Sequence, residues 1–176
     1  MKNIEVEIRS FINKSQFLDL KRFFNKKAKF IKGDFQETYY LDSRQDLRLQ
    51  KNKYFAKIWL KSGKIHDEVR DEIEIKIDRK DFEKTLELFG TLGFKTKVKW
   101  LRKRLEYRWQ GISIYLDHTK GYGYIIELEK KSSKSKMQKN LSFLKEKLKD
   151  LDILLTPREI FERKFKFYQK NWQKLI

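Results

Sequence analysis

The sequence predicts an α+β fold in which about eight antiparallel strands, able to close into a barrel, are accompanied by four helices. Three observations predict it. Ionised and apolar residues alternate with period two in run after run, as half-buried strands require. Short breaks containing Gly, Asn or Ser separate consecutive runs, as hairpins require. Helical periodicity is confined to four amphipathic segments. With 176 residues, 39% hydrophobic and 15% aromatic, the chain can bury a sizeable core. Its single proline, Pro157, and the absence of any Pro/Ser/Gly-rich linker predict one domain over residues 1–176.

The first strand is Asn3–Ser10, NIEVEIRS, with Glu5, Glu7 and Arg9 on one face and Val6 and Ile8 on the other. After Ser15, the residues Phe17, Leu18, Leu20, Phe23 and Phe24 fit one helix face. Alternation returns in Tyr39–Asp42, Asp46–Gln50, Lys57–Lys61 and Val69–Ile77, with breaks at Lys51-Asn52 and Ser62-Gly63. A second helix is expected from about Lys80 to Leu92, carrying Phe82, Leu86 and Phe89. Three further strands follow at Leu101–Trp109, Ile112–Asp117 and Tyr124–Glu129, broken at Gln110-Gly111 and Gly121-Tyr122-Gly123. Met137, Leu141, Leu144, Leu148 and Leu151, spaced alternately four and three apart, mark the third helix. Thr156-Pro157-Arg158-Glu159 predicts the start of the fourth, with Thr156 as N-cap, proline at the first helical position and Glu159 completing a capping box. Ile160, Phe161, Phe165 and Tyr168 then face the core.

Charge narrows the function. Forty-three Lys and Arg against 25 Asp and Glu leave +18, which implies an anionic partner: a nucleic acid, a membrane surface or a phosphorylated small molecule. There is no cysteine, and His66 and His118 fall in expected turns, so disulfides and a zinc site are excluded, whereas oxygen-coordinated cations are not. No apolar run approaches the ~20 residues of a membrane span. The amino terminus runs directly into charged alternation rather than a signal peptide, so a cytoplasmic location without membrane contact is expected. Glycine-rich phosphate loops and a Ser/His/Asp set are absent.

Strand after strand, one face is ionised. Those faces either meet bulk water or, if the sheet closes with them inward, line a lumen. The second arrangement removes the exposed edges. The lumen would then hold Arg9, Arg48, Lys61, Arg70, Arg102 and Arg104 with Glu5, Glu7, Glu72, Glu74, Asp117, Glu127 and Glu129. Such a set is costly to enclose unless its charges pair or a ligand completes it. Two carboxylates at i and i+2 lie ~6.6 Å apart along a strand, so Glu5 with Glu7, and Glu127 with Glu129, can converge on a hard divalent cation while arginine forks hold phosphate oxygens.

Glu5-Val6-Glu7-Ile8-Arg9 resembles the ExExK signature of the CYTH family, the triphosphate tunnel metalloenzymes, which include class IV adenylate cyclases, thiamine triphosphatases and inorganic triphosphatases. The resemblance extends over most of the chain. Glu37–Asp42 is similar to the family's strand ending in Tyr-Phe-Asp, Leu47-Arg48-Leu49 to its Leu-Arg-x-Arg, and Lys61 to its following lysine. Arg70–Glu74 resembles R-x-E-x-E, Arg102–Tyr107 resembles K-x-R-x-x-Y, and Asp117–Glu129 resembles the segment leading to paired glutamates. The compact length and the Gly121–Glu129 segment most resemble the class IV cyclase and thiamine triphosphatase branch.

The resemblance implies a closed eight-stranded antiparallel barrel with triphosphate in its tunnel and Mg²⁺ or Mn²⁺ held by glutamates. It makes Glu5, Glu7, Glu127 and Glu129, with Asp117 near them, the metal ligands. Arg9, Arg48, Lys61, Arg70, Arg102 and Arg104 become phosphate ligands, and Glu74 orients the arginines. The substrate is then ATP, tripolyphosphate or thiamine triphosphate, either cyclised or hydrolysed, and the alternative is a non-catalytic binder of polyphosphate or RNA 5′ ends. Arg9 stands where Lys is usual and cannot accept a proton, which leaves Lys61, or water held by the metal, to move it. Gln50 stands in place of a second arginine, Trp59 where Thr is common and Arg102 where Lys is usual. Tyr54, Trp59 and Trp109 are placed either to stack on an organic group or to pack under helices, and the basic last helix, with Arg163, Lys164, Lys166, Lys170 and Lys174, reads as a solvated face.

Overall fold

A computed structural model of the chain describes residues 4–62 and 69–176, the side chains of Val69 and Arg70 excepted. The elements in order are β1 (Ile4–Ile12), α1 (Lys14–Lys27), β2 (Lys29–Leu41), β3 (Asp46–Lys51), β4 (Ala56–Lys61) and β5 (Val69–Ile77). A turn of 3-10 helix then leads into α2 (Phe82–Thr91), followed by β6 (Thr96–Trp109), β7 (Ile112–Thr119), β8 (Gly123–Ser132), α3 (Met137–Asp150) and α4 (Arg158–Leu175). All eight expected strands are present, every neighbouring pair is antiparallel, and the sheet closes in the order β1-β5-β4-β3-β2-β6-β7-β8. The expected break at Gly63 and the expected turn at His66 lie outside the described residues.

The closure is not a simple meander. β1 sits between β5 and β8, and β2 pairs with β6 over almost its whole length. Helix α1 is the cause: it carries the chain back along the barrel wall, so that β2 runs in the same direction as β1 and cannot be its hairpin partner. β2 is also far longer than the four residues the alternation marks. Its first half, around Gly33 and Asp34, has poor strand propensity and no β3 partner, yet it pairs with β6 from Lys29 onward, with a bulge between Phe30 and Lys32.

The apolar faces point outward and are covered by helices. Val6, Ile8, Ile114 and Leu128 from the barrel meet Leu20 and Phe24 of α1 and Leu144 and Leu148 of α3, while Phe82 of α2 seals Leu49 and Ala56. Burying a side chain of this size contributes roughly 1.5–3 kcal/mol. Asn13 caps α1 with Gln16 in a reciprocal box that the sequence reading passed over. The opposite error falls at α4. No side chain caps that helix; Thr156 Oγ1 instead accepts the Phe11 amide at 2.9 Å, and the Thr156 amide donates to Ser10 Oγ at 2.9 Å. The residues expected to start a helix therefore fasten it to β1.

That fastening sets α4 across one end of the barrel. Phe161 and Tyr168 pack against Val98, Trp100, Tyr122 and Ile125, and Tyr168 Oη donates to the Lys99 carbonyl at 3.0 Å. The carboxyl end of the helix rests on Gly121, whose φ is +73° and where a Cβ would lie 2.9 Å from the Leu175 carbonyl oxygen. Both the left-handed backbone and the close approach require glycine there. Gly121→Ala is expected to cost about 2 kcal/mol or more, read as a lower urea midpoint with an unchanged slope; an unchanged midpoint would show that α4 does not bear on this turn.

Candidate active site

Closure with the apolar faces outward turns the ionised faces inward. Glu5, Glu7 and Arg9 of β1, Arg48 of β3, Lys61 of β4, Arg102 and Arg104 of β6, Asp117 of β7, and Glu127 and Glu129 of β8 line one cavity. Eight strands of alternating sequence bring together residues as far apart as positions 5 and 129 because β1 and β8 pair with Glu7 opposite Glu129 and Arg9 opposite Glu127.

The acids gather on one side. Carboxylate oxygens of Glu7, Glu127 and Glu129 all lie within 4.8 Å of one another. Burial, then the neighbouring charges of Glu5, Glu127 and Glu7, push the Glu129 carboxyl up to about 8. Burial and the adjacent Glu72 raise Glu5 to about 7, with Lys61 opposing. Glu127 behaves oppositely: burial works against its ionisation, but Arg104, Arg9 and Arg102 outweigh it and hold the carboxyl well below the usual range.

The cations are held by dedicated partners. Arg104 donates from Nε and Nη2 to the two oxygens of Asp117 at 2.8 and 2.6 Å, and to Glu127 at 3.2 Å, with its guanidinium 4.1 Å above the Tyr115 ring. Arg102 reaches Gln36 Oε1 at 2.9 and 2.6 Å and Asp117 at 3.3 Å. Arg48 forks onto Asp46, its Nε at 2.7 Å, and lies against the rings of Tyr40 and Trp59. Lys61 is ion-paired with Glu72 and stands 4.0 Å from Glu7. Arg9 lies 3.7 Å from Glu7.

Two of the expected site residues are engaged by other partners. Asp117 is not among the clustered glutamates: both its oxygens are engaged by Arg104 and Arg102, so a cation there would have to displace a bidentate guanidinium. Glu74 does not orient an arginine among the described residues; it is exposed and pairs with Lys57 at 2.6 Å. For Arg70 the backbone stands opposite Glu5 in β5, and its side chain lies outside the described residues. Gln50 fills its place with a neutral bond to Thr38 Oγ1 at 2.8 Å.

Of the aromatic residues, Trp59 lines the cavity and donates its indole N–H to Glu72 at 2.9 Å, Trp109 is buried under α1, and Tyr54 is exposed. His118 stacks on Tyr124, its ring 4.4 Å away, and does not line the cavity. Sequence reasoning missed Asp46 and Gln36, which hold arginines, and the aromatic end formed by Tyr40, Trp100, Tyr122, Phe161 and Phe165. The parity of Asp46 with Arg48 was a usable signal; the others needed the closure.

A closed antiparallel barrel whose lumen sets clustered carboxylates against a belt of guanidiniums defines a class built to enclose an anion together with a cation. The chain belongs to the CYTH domain family, which it matches over residues 3–165. A relative from Methanocaldococcus jannaschii named as a putative adenylate cyclase is 35% identical over 137 residues, covering 71% of this chain and 77% of its own. A solved structure of a conserved hypothetical protein from Pyrococcus furiosus is similar with a TM-score of 0.73 and 27% identity, covering 88% of this chain and 96% of that one. A structure from Hippeastrum, titled as a putative adenylyl cyclase that reveals a dominant triphosphatase activity, has a TM-score of 0.63 at 20% identity and covers 86% of this chain and 88% of its own, a likeness of fold. No described helix is long and apolar enough to cross a membrane.

The raised carboxyls make stability depend on pH. Glu129 at about 8 and Glu5 at about 7 stand above the ordinary 4.5, so the folded state holds more protons than the unfolded one between these values. Their contribution to stability is present below pH 4.5 and is lost as pH rises toward 8. Without divalent metal, Glu129→Gln is expected to flatten the fall in melting temperature across that window relative to the parent; identical profiles would remove the like-charge cluster from the lumen.

Proposed function

We propose that this chain is a divalent-metal-dependent enzyme acting on triphosphate, and that its reaction is hydrolysis. The observation that carries this is the clustering of Glu7, Glu127 and Glu129 within 4.8 Å in a lumen also lined by Arg9, Arg48, Arg102, Arg104 and Lys61. The acids fit a hard cation. They offer only carboxylate oxygens, and the mutual repulsion that raises Glu129 and Glu5 is what a divalent charge relieves. Glu7 and Glu129, with Glu127 and Glu5, would hold Mg²⁺ or Mn²⁺, which supplies charge stabilisation at the reacting phosphoryl oxygens.

The protein side chains then position the substrate. Arg9, Arg48, Arg102 and Arg104 present guanidinium N–H groups to phosphate oxygens, and Asp117, Asp46 and Gln36 hold three of those guanidiniums in place, so little ordering is left for the moment of reaction. Lys61, ion-paired with Glu72, is the side chain to which this reading gives the contact with substrate and the movement of the proton in turnover. Hydrolysis is favoured over cyclisation because it needs only a water ordered beside a bound phosphate, whereas cyclisation needs the nucleoside fixed with its 3′-hydroxyl in line with the alpha phosphorus. The triphosphatase activity named for the Hippeastrum protein and the cyclase name of the archaeal relative support the same substrate class.

The test is incubation with Mn²⁺ or Mg²⁺ and, separately, tripolyphosphate, ATP and thiamine triphosphate, with products resolved by chromatography. Orthophosphate release is expected, and tripolyphosphate with metal should raise the melting temperature far more than phosphate alone. Cyclic nucleotide with pyrophosphate from ATP would replace hydrolysis by cyclisation. Binding without turnover on all three would leave a non-catalytic binder of polyphosphate or RNA 5′ ends. Glu7→Gln is expected to lower turnover about 100-fold or more at little cost in metal-free stability. Lys61→Arg is expected to keep binding and lose turnover; equal turnover would take the proton from Lys61.

A further inference from the structure

Three buried polar atoms have no hydrogen-bond partner among the described residues: Trp100 Nε1, Thr119 Oγ1 and Tyr122 Oη. Their residues are only 8%, 1% and 7% exposed. Leaving one such group unsatisfied costs about 1–3 kcal/mol, and native structures rarely do so. These three are not scattered. The residues that carry them all line the lumen cavity, at the end crossed by α4.

Their placement follows from the fold. Trp100 precedes Arg102 by two residues on β6 and so shares its face, while Thr119 stands directly opposite Arg102 on β7. Tyr122 lies in the turn that Gly121 permits, and its ring is 4.5 Å from that of Trp100. An indole nitrogen only donates, and both hydroxyls can donate, so the complementary group is rich in acceptors. The surrounding charge agrees. Arg102 adjoins the group and Arg9 acts on the Tyr122 hydroxyl. On β8 the residue packed with Trp100 and Tyr122 is Ile125, whereas Glu127 and Glu129 come two and four positions further along the strand; the one carboxylate that adjoins the group, Asp117, accepts from Arg102 at 3.3 Å.

We propose that this end of the lumen is a subsite for an unsubstituted terminal phosphoryl group, whose three oxygens accept hydrogen bonds from Trp100, Thr119 and Tyr122 beside Arg102. The inference rests on the triphosphate reading and gives it a direction. The terminal phosphoryl enters first and stops at Phe161 and Phe165 of α4, the phosphate chain runs back past Glu7, Glu127 and Glu129, and any organic group stays at the opposite mouth. A triphosphate carrying organic groups at both ends has no free terminus to offer.

The variants Thr119→Val and Tyr122→Phe, singly and together, delete the hydroxyls with little change of shape. No intramolecular bond is lost, so the metal-free melting temperature is expected to hold or rise. The KM for tripolyphosphate with Mn²⁺ is expected to rise about tenfold for each hydroxyl, as a charge-assisted hydrogen bond of about 1.4 kcal/mol gives. A dinucleoside triphosphate, capped at both ends, is expected not to compete with tripolyphosphate in the parent. If the parent gains no thermal stability from tripolyphosphate with Mn²⁺, the triphosphate reading itself fails. If the parent binds and the double variant binds equally well, trapped water satisfies the three donors and the subsite is overturned. Competition by the doubly capped compound overturns it as well.

Discussion

Asp117 accepts two hydrogen bonds from Arg104 and a third from Arg102, at the centre of a lumen that water barely reaches. Taking a guanidinium out of water costs several kcal/mol, which is recovered only when a carboxylate of matching geometry receives it. The barrel could not close over its ionised faces without such pairs. Arg104 extends the knot to Glu127, and Arg102 extends it to Gln36, so one carboxylate on β7 ties β2, β6 and β8 into a fixed inner surface. The Arg48–Asp46 fork does the same for β3 within a single strand.

Once those pairs are made, the cations are held and the remaining acids are not. Glu5 and Glu129 sit among other carboxylates and rise well above their ordinary ionisation range, because Lys61 and Arg104 offset only part of the burial and repulsion on that side of the lumen. Perturbation of this kind, in a cavity and with named neighbours, marks a functional site better than charge alone. The net charge of +18 says only that the partner is anionic; the inner arrangement says how an anion and a cation can be accommodated together. The outer layer of Val, Ile, Leu and Phe under α1 and α3 offsets the cost of holding like charges close.

Period-two alternation carried most of the fold. Glu5, Glu7 and Arg9 against Val6 and Ile8 already state that one face is ionised, and seven more such runs state that a sheet is. Parity assigns a face, however, and not a depth along the lumen. Glu72 and Glu74 have the same parity, yet one meets Lys61 and Trp59 half-buried while the other meets Lys57 and is exposed. Depth is fixed by strand register and by which strands neighbour each other, and α1 alters that order in a way no local pattern announces. Asp117 does come beside Glu127, sharing Arg104 with it, but register gives both of its oxygens to guanidiniums. Phe161 and Phe165 were legible as core-facing, but the core they face is the end of the lumen, because Thr156 ties the helix to β1.

The departures from the family pattern act on the charge of the lumen. At position 50 a guanidinium would stand on the same strand face as Arg48; Gln50 supplies a neutral donor to Thr38 and lowers the repulsion among Arg48, Arg102, Arg104 and Lys61. Trp59 does the complementary work. Its ring lies 3.9 Å from the Lys57 ammonium, 4.2 Å from that of Lys61 and 5.0 Å from the Arg48 guanidinium, and its N–H is taken by Glu72. A side chain engaged on all sides by cations is not free to stack on a substrate ring. Its π-face instead softens the cost of crowding three positive groups. Both departures set the balance of charge inside the lumen, one by leaving out a guanidinium and the other by laying a ring among three cations.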